Sequence, residues 1–105
     1  ENVLLEVVKN GYSFEDRLDA ISRITGNENL AALLKSPDWS TRYLVVNHEC
    51  FSDENLLESV ALSDPDWRVR LSCIKRITDK NVLIKIRNGD DSPEVVEYCK
   101  KIIEK

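Results

Sequence analysis

The sequence predicts an all-α chain built as a short right-handed α-solenoid of about three and a half helical repeats. Three observations predict it. Ser36-Pro37-Asp38-Trp39 returns as Asp64-Pro65-Asp66-Trp67 and, more weakly, as Ser92-Pro93-Glu94-Val95, in two steps of 28 residues that use all three prolines. A second motif, Asn29-Leu30, Asn55-Leu56-Leu57 and Asn81-Val82-Leu83, recurs every 26 residues between the first set. Apolar residues follow each proline at helical spacing, and no alternating strand pattern competes.

Each element has a local physical reason. Ser36, Asp64 and Ser92 suit an N-cap, where a side-chain oxygen satisfies orphan amides. Proline suits the next position, because its missing N–H is not needed there. The acidic residue that follows complements the positive end of the helix dipole. Behind the caps, Trp39, Tyr43, Val46 and Cys50 match Trp67, Leu71, Ile74 and Thr78, then Val95, Cys99 and Ile102. Steps of four, three and four form one stripe. Phe14, Leu18, Ile21 and Thr25 are an earlier copy, with Ser13 and Asp16 at capping-box spacing. Long helices are expected near 13–25, 37–50, 65–78 and 93–104. Shorter ones are expected near 28–35, 53–62 and 80–87, with a further short helix over 2–9. Ser52 to Asn55 and Asp79 read as caps of the shorter helices. Gly11, Gly26 and Gly89 fall just after helical stretches, where a left-handed residue is wanted. The expected core is Leu18, Ile21, Leu30, Tyr43, Val46, Leu56, Leu71, Ile74 and Leu83. The repeats run approximately over 12–35, 36–63, 64–91 and 92–105, with 1–11 a partial capping repeat of one single domain.

Composition narrows the function classes. Hydrophobic residues make up 42% and charged residues 32% of 105 residues, a globular balance. The longest apolar runs are far too short to span a bilayer, and no secretory signal pattern appears, so a cytoplasmic location is expected. Cys50, Cys73 and Cys99 are odd in number and widely spaced; they read as small core residues of a reducing compartment rather than a disulfide framework. The net charge of −4 argues against binding led by nucleic-acid phosphates. Residues 53–105 nevertheless carry 10 of the 15 basic side chains.

These motifs resemble the HEAT-like repeat family, in particular its phycobilin-lyase-type arrays, with the leucine-rich repeat variant as a close alternative. The resemblance covers residues 12–105 and is carried by Asp64-Pro65-Asp66-Trp67-Arg68-Val69-Arg70. It implies a polar ladder in which an acidic residue pairs with a basic one six positions on. Asp64 and Arg70 match both places; Arg42 matches the basic one with Ser36 in the acidic place, and Arg17 is their first-repeat equivalent. Tyr98 stands where the last arginine belongs, which implies that the ladder ends there. His48-Glu49 resembles the pairs that HEAT-type di-iron hydroxylases repeat on successive helices. Those enzymes need several pairs and this chain has one.

Catalytic patterns are otherwise missing: no Gly-rich phosphate loop, nucleophile elbow or H-E-x-x-H. The residues point to no cofactor, no metal and no enzyme. Trp39 and Trp67 read as the start of the buried stripe, with exposed binding anchors as the alternative. The positive charge of the second half reads as a solvated face interspersed with Asp79, Asp90, Asp91, Glu94 and Glu97. Its alternative is a partner surface made by Lys75, Arg76, Lys100 and Lys101. The expected function is a non-enzymatic protein–protein interaction or scaffold module; the alternative is an anion- or nucleic-acid-binding array that uses those four basic residues.

Overall fold

The computed structural model describes residues 13–24 and 26–104, and these form seven α-helices and no strand. They are α1 (Phe14–Ser22), α2 (Asn27–Leu33), α3 (Trp39–Val46), α4 (Glu54–Ser63), α5 (Trp67–Ile74), α6 (Lys80–Gly89) and α7 (Pro93–Ile103). The helix expected over 2–9, with Gly11 and Thr25, lies outside the described residues. None of the seven helices is long and apolar enough to cross a membrane. Two units divide at Asp53 and Glu54. In the first, α1 and α2 both pack on α3. In the second, α4 pairs with α5 and α6 with α7, while α5 lies against α7 and α4 against α6.

The caps sit two residues later than the prolines suggest. Asp38 and Asp66 are the N-caps of α3 and α5; their carboxylates accept from the amides of Ser40 at 3.0 Å and Arg68 at 2.8 Å. Ser36 and Asp64 act one step earlier, accepting from the amides of Asp38 at 3.2 Å and Asp66 at 2.9 Å. Each start is therefore a side-chain turn followed by a cap, and Pro37 and Pro65 lie in the turn outside the helix. Only α7 begins with Ser92 as N-cap and Pro93 inside. There Asp90 takes the earlier place, accepting from the Ser92 amide at 2.8 Å. The N-caps Ser13, Asp38, Asp66 and Ser92 are thus 25, 28 and 26 residues apart. Asp79 caps α6 through the Asn81 amide at 2.9 Å, as expected.

The expected alternation of long and short helices does not hold. Helices α3 and α5 have 8 residues each, whereas α4 and α6 have 10. Late caps shorten the front. At the back, α1 and α3 stop so that Ile24 and Phe51 can turn inward, where both are fully buried. Neither of the two described glycines closes a helix in left-handed form: Gly26 is the N-cap of α2 with φ −92°, and Gly89 is the last residue of α6.

The buried face also lies beside the expected stripe. Ile21, Leu30, Val46, Ile74 and Leu83 are buried as expected. Leu18 is exposed, and Tyr43, Leu56 and Leu71 are only half-buried. Val95 and Cys99 of the expected stripe are also fully enclosed, and Thr41 with Val45 and Val69 with Cys73, each pair one turn apart, are enclosed beside it. Small side chains let neighbouring helices approach closely, and the bulky first-turn aromatics do not fit that seam. Ile74→Ala is expected to cost about 2–5 kcal/mol in chemical denaturation. Leu71→Ala, from the edge of the seam, is expected to cost about 1 kcal/mol or less. Equal losses would contradict this placement of the core.

Candidate interaction surface

Arg17, Arg42 and Arg70 each stand four residues after an N-cap and turn inward. Arg70 is the most completely engaged. Its Nη1 donates to the Asp64 carbonyl at 2.7 Å, while Nε and Nη2 grip the Asp90 carboxylate at 2.9 and 3.2 Å. Nη2 also reaches Asp91, which is otherwise open to solvent, at 3.3 Å. Arg42 repeats the backward contact, donating to the Ser36 carbonyl at 2.8 Å. Arg17 makes the forward one, to the Asp38 carboxylate at 2.9 Å and the Ser40 hydroxyl at 3.0 Å. Arg17 and Arg70 thus each hold the capping turn of a neighbouring helix in their own unit.

This geometry revises the acidic-to-basic ladder. The residue six positions before Arg42 and Arg70 contributes its carbonyl, and the Asp64 carboxylate serves the turn before α5. The carboxylate partner of Arg70 is Asp90, with a side chain only 6% exposed, not part of a solvated face. Its signal was the 26-residue step from Asp64, the same step that separates the asparagines. Counting from the N-caps, Val96 rather than Tyr98 occupies the arginine place in α7.

The cysteines divide. Cys73 and Cys99 are buried, and Cys50 is exposed beyond the end of α3 rather than in the core. Burial, reinforced by the Asp64 charge and partly offset by Arg76, pushes the Cys73 thiol up to about 12. Burial and Asp90 raise Cys99 against the opposing charge of Arg87. Both are therefore protonated packing groups, not nucleophiles. His48 accepts from the Cys50 amide through Nδ1 at 3.0 Å, closing the turn after α3. Among the described residues, no three His, Cys, Asp or Glu side chains converge as a metal site.

Large apolar side chains also stand at the surface. Phe14 and Leu18, one turn apart on α1, are 43% and 46% exposed. Trp67 at the start of α5 is 39% exposed. Trp39 is half-buried and meets Tyr43 edge-on, with ring centroids 5.9 Å apart. The expectation that both tryptophans begin a buried stripe therefore fails for Trp67. Between α1 and the end of α3 runs a groove of about 310 Å³, floored by Leu18, Ile21 and Leu44 and rimmed by Asn47, His48 and Glu49.

The four basic candidates do not share one setting. The Lys75 ammonium lies 5.9 Å over the Tyr98 ring, which ties the end of α5 to α7. Lys100 and Lys101 are exposed in the last turn of α7. Arg76 instead lines a small hollow with the carboxylate residues Glu54, Glu58 and Asp79.

Burial by itself would raise the Asp38 pKa, but hydrogen bonds from Ser40 and the charges of Arg17 and Arg42 outweigh it and lower the value below 3.8. A depressed carboxylate stabilises the fold above its unfolded pKa, and that stability is lost as pH falls through the folded value. Asp38→Asn keeps a capping side chain but not the charge. It is expected to be less stable than the parent at pH 7, with the difference shrinking below about pH 4. Urea unfolding at both pH values reads this; a constant difference would remove the charge from the account.

The chain matches no protein-family model, no curated protein and no solved structure.

Proposed function

We propose that this chain is a non-enzymatic protein-binding module built as a short α-solenoid of HEAT-like repeats, working in the cytoplasm. The supporting observation is where its large apolar side chains stand. Phe14, Leu18, Leu62 and Trp67 are all more than a third exposed, although each belongs to a regular helix. Leaving such groups in water forgoes burial worth roughly 1.5–3 kcal/mol for each large side chain. Tryptophan and other aromatics at a surface are the residue types that dominate protein interfaces. The scaffold beneath them is held by caps and arginine contacts, so the surface side chains are free to serve recognition.

The second reading is an anion- or nucleic-acid-binding array centred on Lys75, Lys100 and Lys101, supported by the Lys75–Tyr98 contact. The acidic balance of the chain favours a protein partner.

Affinity capture with the full chain as bait, followed by mild crosslinking, tests the choice. A protein that co-purifies with the parent and falls at least fivefold with Trp67→Ala or Phe14→Ala supports the proposed reading. Capture of nucleic acid alone would overturn it, with affinity falling about a hundredfold or more between 50 and 200 mM salt and removed by charge reversal at Lys75 and Lys101.

A further inference from the structure

We propose that the groove between α1 and α3 docks a basic amphipathic helix from a partner protein. This rests on the protein-binding reading above and names the partner's chemistry. The groove is apolar along its floor, where Leu18, Ile21 and Leu44 line about 310 Å³. That is the lower end of the roughly 300–1,000 Å³ typical of ligand pockets. It suits one or two large apolar side chains inserted from a helix rather than an enclosed small molecule. Helices that bind in this way present anchors at i, i+3 or i+4 and i+7. The floor extends along α1, because Phe14 lies one turn before Leu18 and is nearly as exposed.

Charge selects the rest of the partner. Glu49 rims the groove at the end of α3 and is exposed. Glu15, three residues before Leu18, shares its side of α1 and is also exposed. The neighbouring Asp19 carboxylate is met by Arg23 at 3.2 Å, an exposed pair that brings no surplus positive charge. Arg17 and Arg42, the other cations near in sequence, are turned inward toward Asp38 and the Ser36 carbonyl. An apolar floor between uncompensated carboxylates fits leucine-like anchors flanked by lysine or arginine. The same carboxylates repel a phosphate backbone.

The test uses the full chain and a fluorescein-labelled twelve-residue peptide of lysines with leucines at i, i+4 and i+7. Its counterpart has glutamate in place of each lysine. Fluorescence polarisation is expected to show the basic peptide binding at least tenfold more tightly than the acidic one. Leu18→Glu is expected to weaken that binding tenfold or more. Because Leu18 is 46% exposed, this change should leave the melting temperature within a few degrees of the parent. Glu49→Lys is expected to weaken it severalfold and to flatten its salt dependence. Binding unaffected by either substitution overturns the proposal. So does binding that appears only when Leu4 and Leu5 are changed to Asp, which would make residues 1–12 the occupant. Concentration-dependent dimerisation abolished by Leu18→Glu also overturns it, in favour of a second copy. If a captured partner protein survives Leu18→Glu, this site fails while the protein-binding reading stands.

Discussion

A guanidinium enclosed between helices needs most of its donors matched, and Arg70 matches them in two directions. Backward, it reaches the carbonyl of the turn that opens its own helix; forward, it takes the carboxylate of the turn that opens α7. Asp90 in turn accepts the Ser92 amide, so one carboxylate joins the arginine to the cap of the next helix. Arg17 and Asp38 make the corresponding link in the other unit, where Asp38 is itself the cap of α3. Removing one member of such a pair strands the other, a larger loss than the net value of the contact. The link sets helix against helix at fixed register. Beside it, threonine, valine and cysteine side chains are fully buried.

The surface follows from that constraint. With the close seam occupied by small residues, the aromatics of the first turn lie at its margin. Trp67, Phe14 and, less completely, Trp39 are therefore presented by short, capped helices. A rigid backbone below and large side chains above cost little ordering entropy on binding. The same placement of Leu18 and Leu44 at either side of a helix pair makes the groove.

The helical class was legible because caps and period agree at every copy. Asp79, Ile74 and Leu83 fall where local rules put them. The misreadings on α3 and α5 share one cause. Proline drew the helix start to Ser36 and Asp64, whereas the turn-then-cap sequence delays it to Asp38 and Asp66. A two-residue delay changes which face is central, so Tyr43 and Leu71 move to the edge while Thr41 and Val69 become core. The same shift hid Asp90 and placed Tyr98 in the arginine position. Two candidate registers, 28 and 26, were both visible; only packing shows that the last copy follows 26. The scatter of basic residues was legible as composition, but whether Arg76 joins the lysines depends on Glu54 and Glu58 from another helix.

The dependence on the arginine link is most directly tested by a double-mutant cycle on the full chain with Arg70→Met and Asp90→Asn. Each single change is expected to cost about 3–5 kcal/mol in urea unfolding, since each leaves a buried polar group without its partner. The double change is expected to cost little more than either one, giving a coupling energy of at least about 2 kcal/mol. Simple additivity, or single losses below about half a kcal/mol, would mean that the helices are held in register by something other than this pair.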